Sequence, residues 1–75
     1  MQRAGVVTSV AQGVVVLVSE SNDLPSIGVP VVNETLERVG RIVDVIGPVD
    51  RPYLVVSPGN GIEPATLLGT TLYIR

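Results

Sequence analysis

The side chains able to do acid–base, nucleophilic or metal chemistry are few and scattered. The chain contains no His and no Cys, so neither the usual zinc donor sets nor an imidazole or thiolate catalyst can be assembled. Seven carboxylates, scattered hydroxyls and two tyrosines, Tyr53 and Tyr73, are left. Asp44 and Asp50 fall in a strand and its adjoining loop, and nothing in their spacing pairs them. Ser19, Glu20, Asn22 and Asp23 offer oxygen donors without the loop pattern that wraps calcium. Neither GxxxxGK[ST] nor GxGxxG occurs, so no phosphate cradle is encoded. Glu34, Glu37 and Arg38 read as a solvated turn. The expectation is a chain with no catalytic residue, no cofactor and no metal.

Charge narrows the partners. Five basic residues, all Arg, stand against seven acidic ones, for a net charge of -2. That sign disfavours a phosphate-binding footprint, and two aromatic residues make a poor stacking platform for bases. The longest aliphatic run, Val14 to Val18, is far short of the roughly 18 to 20 residues of a membrane span, and no leader segment is apparent. A soluble, cytoplasmic protein is expected.

Seventy-five residues suit one domain, 1–75, and a chain of that size buries only about 60% of its unfolded surface. Yet it is 45% hydrophobic and 16% charged, against roughly 25% charged in ordinary soluble domains. Apolar material exceeds what a small core can hide, and exposed apolar patches usually mark interaction sites.

The elements that must position this surplus are strands. Sixteen residues are Val, and eight Gly and six Pro cut the apolar runs into short pieces. Stiff β-branched side chains suit a pleated surface, and short strands with frequent turns point to a sandwich or barrel. Strands are expected near 3–10, 13–19, 29–33, 39–47, 53–57 and 71–75. The first two are joined by a tight turn at Ala11 and Gln12, and a surface loop spans 20–28. A turn follows at 33–38, and a single helical turn is expected between Pro64 and Gly69. An open sheet would leave two apolar edges, whereas closure removes them. The fold class is therefore all-β, a small closed six-stranded antiparallel barrel of Greek-key type, with at most one short helical turn and a filled interior.

Two strands are apolar on both sides. In 14–18, Val14, Val16 and Val18 share one face and Val15 and Leu17 the other. In 39–47, strict alternation puts Val39, Arg41, Val43, Val45 and Gly47 opposite Gly40, Ile42, Asp44 and Ile46. A single-layer barrel covers only its inner face, so the outward set, taken to include Val15, Leu17 and the tip around Pro48, is expected to meet a partner. The segment from Gly47 to Tyr53 adds a stiff apolar projection, since Pro48 and Pro52 restrict the backbone and Arg51 and Tyr53 are residue types common at interface hot spots.

The run Val39-Gly40-Arg41-Ile42-Val43-Asp44-Val45-Ile46-Gly47-Pro48-Val49-Asp50-Arg51-Pro52-Tyr53 closely resembles the hallmark of the Gar-one family of H/ACA ribonucleoprotein subunits, in its archaeal form. Gly5-Val6-Val7, Gln12-Gly13, Leu24-Pro25-Ser26, Val31-Val32, Leu68-Gly69 and Leu72-Tyr73 fall where that family places similar residues, so the likeness covers essentially the whole chain. It implies a six-stranded barrel that binds the catalytic subunit of a dyskerin-type pseudouridine synthase. The catalytic Asp belongs to that partner. The family's barrel acts on the partner's thumb loop, assisting substrate RNA loading and release in RNA-guided pseudouridylation and rRNA processing, and meets guide and substrate RNA only through the complex. Carried over by position, the partner-binding residues are Ile46, Gly47, Pro48, Val49, Pro52 and Tyr53, with Val43 and Val45 in support. Ile46 stands where the family usually has an aromatic residue. With no Arg-Gly-rich tail in these residues, RNA contact through a tail is not expected. The alternative reading is a translation-factor-type barrel that touches RNA directly, or a ribonucleoprotein assembly factor.

Overall fold

The structure is a computed structural model and describes residues 2–20, 24–48 and 50–75. Six strands, β1 (Gln2–Ala11), β2 (Val14–Val18), β3 (Pro30–Val32), β4 (Arg38–Ile46), β5 (Tyr53–Pro58) and β6 (Thr71–Ile74), close into an antiparallel barrel in the order β1-β2-β5-β4-β3-β6. Among the described residues the one helical element is a 3-10 turn at Pro64–Leu67, with proline at its start as expected and Gly69 at φ 82° beyond its end. Among the described residues no helix is long and apolar enough to cross a membrane.

The strands form where β-branched and leucine side chains line up across the ladder. Val15 and Leu17 on β2 face Val56 and Leu54 on β5, and Ile42 on β4 also faces Val56. All five are buried, and Val7, Val31, Val39 and Leu72 join them in one core, with Leu67 of the 3-10 turn packed in. Each such side chain contributes about 1.5 to 3 kcal/mol by leaving water.

Two expectations about facing are corrected here. Val15 and Leu17 point into the barrel, and it is Val14, Val16 and Val18, all half-buried, that face out. A strand apolar on both sides cannot choose its own inward face. The choice comes from β5, where Leu54 and Val56 are buried while Tyr53, Val55 and Ser57 are not. In β4 the strict alternation fails. The register slips once against β3, between Val31 and Val32, and once against β5, between Ile42 and Asp44. An extra residue at each bulge resets which side faces in. Val39 and Ile42 are therefore both buried and Val45 packs against the core, three positions apart each time. β1 behaves alike, with slips at Arg3/Gly5 and Val7/Ser9 and with Ala4 and Val7 both buried.

The β1–β2 turn sits one residue later than expected. Ala11 pairs with Val14, and the turn is Gln12-Gly13, with φ of 50° and 83°. Positive φ at both central residues matches the twist of a two-residue hairpin. Of the expected loop at 20–28, Ser21, Asn22 and Asp23 lie outside the described residues. The rest returns onto β4, where Gly28 N–H donates to the Ile42 carbonyl at 2.7 Å and Ile42 N–H donates to the Val29 carbonyl at 2.9 Å. The turn before β4 is organised by Asn33, whose Oδ1 accepts from the backbone N–H of Thr35 and of Glu37, each at 3.0 Å. Such side-chain capture of nearby backbone donors is characteristic of Asn.

Candidate docking face

β4 and β5 form a hairpin whose turn end carries most of the positions inferred from the sequence. Ile46 and Tyr53 are the last cross-strand pair before the turn, and on its other side Tyr53 pairs with Val18 of β2. All three lie on the outward side of the sheet. Directly opposed side chains in an antiparallel pair sit about 4.5 to 5.5 Å apart at Cβ, so Val18, Tyr53 and Ile46 make a continuous apolar row. One step along the strands, Val16 opposes Val55, which in turn opposes Asp44. Ile46 is 46% and Tyr53 37% exposed, while Val16, Val18 and Val55 are half-buried.

Gly47 holds the corner. Its φ is 90°, and a Cβ there would come within 2.7 Å of Tyr53 Cδ2. Only glycine tolerates this conformation without strain, and its bareness lets the Tyr53 ring lie against the turn. Pro48 is exposed, and its carbonyl accepts from Arg51 N–H at 3.3 Å. Pro52 is buried, and its carbonyl accepts from Ser19 N–H at 2.9 Å, tying the far side of the turn to the end of β2. Arg3 Nε and Glu20 Oε1, 3.0 Å apart, form an exposed ion pair close to that junction. It is a surface pair, worth at most about 1 kcal/mol.

The sequence-inferred set therefore divides by place. Ile46, Gly47, Pro48 and Tyr53 come together at the exposed corner. Pro52 lies beneath it as an anchor, Val45 turns toward the core, and half-buried Val43 sits at the β4–β5 bulge. Val49 lies outside the described residues. Val16, Val18 and Val55 were not in the inferred set, and the alternation of β5 was the signal that could have found them: once Leu54 and Val56 are inside, their cross-strand neighbours fix which β2 residues are outside.

This arrangement has the layout of a protein contact, with apolar and aromatic side chains at its centre and the charged Asp44, Asp50 and Arg51 around it. Its chemistry is that of burial. Among the described residues no three His, Cys, Asp or Glu side chains cluster as metal donors do.

An uncharacterized protein of the archaeon Methanothermobacter thermautotrophicus is 30% identical over 61 residues, which span 77% of this chain and 66% of that protein. The family model described as the Gar1/Naf1 RNA binding region matches residues 1–75, every residue of the chain. Barrel, hairpin signature and full-length match coincide, and the chain belongs to the Gar1/Naf1 RNA-binding-region family, with its association to H/ACA ribonucleoproteins.

Proposed function

We propose that residues 1–75 act as one barrel unit, a non-catalytic accessory subunit of a cytoplasmic H/ACA small ribonucleoprotein. It docks on the pseudouridine synthase catalytic subunit and assists substrate RNA loading and release during RNA-guided pseudouridylation and rRNA processing. The observation that carries this reading is the outward row of half-buried Val18 with exposed Tyr53 and Ile46 beside the Gly47-Pro48 corner. A partner covering it would remove apolar surface from water at about 25 cal/mol per Å². Family membership supports the choice of a ribonucleoprotein partner. Val43, Val45 and Pro52 support the corner from within, and Val49 belongs to the same contact by its position in the signature.

A pull-down tests this directly. Immobilised chain is expected to retain the dyskerin-type synthase from a mixture of purified components, and to raise its turnover of guided substrate RNA without modifying RNA alone. Failure of the folded barrel to retain the synthase overturns the assignment.

A further inference from the structure

At the opposite end of the β4–β5 pair lies a surface groove of about 540 Å³, lined by Arg38, Arg41, Ser57 and Asn60 with the bare backbone of Gly40 and Gly59. Among the described residues no carboxylate lines it, and the other lining residues, Pro58 and Ile62, are neutral. Two of the five arginines are thus gathered in one place on a chain whose net charge is -2. Arg3 is neutralised by Glu20 at 3.0 Å, whereas neither Arg38 nor Arg41 has a hydrogen-bond or ion-pair partner among the described residues.

The bulge explains the gathering. Residues three apart on a regular strand face opposite sides. The register slip against β3 sends Val39 into the core and leaves both arginines outside, Arg38 opposite Val32 and Arg41 opposite Ser57. Gly40 lets β4 and β5 approach closely at this point, because a Cβ there would run into the Ser57 carbonyl oxygen.

A guanidinium presents a planar fork of donors that matches phosphate oxygens. The Ser57 hydroxyl and the Asn60 carboxamide both donate and accept, which suits a ribose 2′-hydroxyl. We infer that this groove takes the phosphodiester backbone of single-stranded RNA. The preference for RNA over an acidic protein segment rests on membership of a family described as an RNA binding region, and places a direct contact where the resemblance implied RNA only through the complex; the preference for an anion rests on the groove itself. Two guanidiniums neutralise about two phosphates, well below the 6 to 10 contacts of strong duplex binders, so the contact is short and weak alone.

The test is fluorescence anisotropy of the intact chain with a short labelled uridine oligoribonucleotide, across about 20 to 200 mM salt. Arg38→Ala/Arg41→Ala is expected to weaken binding about tenfold at the low end and to reduce the log–log salt slope by about 1.4, at about 0.7 per phosphate on a single strand. Arg3→Ala/Arg75→Ala carries the same change in net charge and is expected to keep the wild-type slope. Equal losses in both double variants, or no salt-dependent binding by the wild type, overturn the proposal. So does competition by polyglutamate or inorganic phosphate at the concentrations where RNA competes, since the groove would then hold carboxylates or free anions. Retention of the synthase by Arg38→Ala/Arg41→Ala is expected to be unchanged. A failed groove with intact synthase binding is therefore distinguishable from a failed docking assignment, in which the wild type itself retains no synthase.

Discussion

The two ends of the β4–β5 pair share one hairpin and one core, yet they present opposite chemistry. At the turn end, Ile46 and Tyr53 stand over a glycine corner and continue into Val18. At the far end, Arg38 and Arg41 flank Gly40 beside Ser57. The inward residues Ile42, Leu54 and Val56 are alike along the whole length, so the core places no demand on what the outside carries. Burial of apolar surface is nearly indifferent to salt, while contacts to phosphates weaken steeply with it. Ionic strength therefore separates the two ends: synthase binding through the first should survive salt that abolishes RNA binding through the second.

The sharpest way to break this contrast is to put a charge at the apolar end. Ile46 is exposed in the free barrel, so Ile46→Asp should leave the fold intact. In the complex it would place an unpaired carboxylate in a desolvated contact, at a cost of about 3 kcal/mol. Calorimetric titration with the synthase should show that loss, while RNA anisotropy stays as in the wild type. An undiminished affinity for the synthase would move the docking face elsewhere on the barrel.

Next in size is the corner itself. Gly47→Val forces a β-branched residue to φ near 90° and against the Tyr53 ring. The barrel should lose about 2 kcal/mol in urea unfolding, and synthase affinity should fall further than stability alone explains, because Tyr53 is displaced. A variant as stable as the wild type would show that the turn can relax without the glycine.

Tyr53→Ala is the milder change at the same place. It removes a ring that rests on the Gly47 turn and lies outside the core, so the unfolding midpoint should move little. The synthase complex should weaken by more than about 1 kcal/mol, as for a hot-spot aromatic. If affinity is unchanged, the row Val18, Tyr53 and Ile46 is not the contact.

The contrast between the ends also marks how far the residues could be read in advance. Composition and turn residues were enough for the closed barrel and the 3-10 turn, because valine-rich pieces punctuated by Gly and Pro leave little alternative. The run from Val39 to Tyr53 pointed to the turn end by likeness. Facing was another matter. In β2 both sides are apolar, and only pairing with Leu54 and Val56 turns Val15 and Leu17 inward. The basic groove was hidden twice over. A net negative charge averages away a local cluster, and an odd spacing of 38 and 41 reads as opposite faces until a bulge brings them to one side. Bulges depend on the partner strand's register, which pattern along a single strand does not carry.

The smallest expected effect concerns a third exposed apolar residue, remote from the turn end in the chain. Leu36 sits in the Asn33 turn at φ 67° and is 54% exposed. A left-handed backbone costs an ordinary L-residue roughly 1 to 2 kcal/mol, and Asn adopts it more readily. Leu36→Asn should therefore raise stability by about 0.5 to 1 kcal/mol, seen as a higher urea midpoint at unchanged slope. Synthase and RNA affinities should both stay as they were. A fall in synthase affinity would mean that the strained leucine is held for contact, and that the docking face reaches beyond the hairpin to the turn that feeds β4.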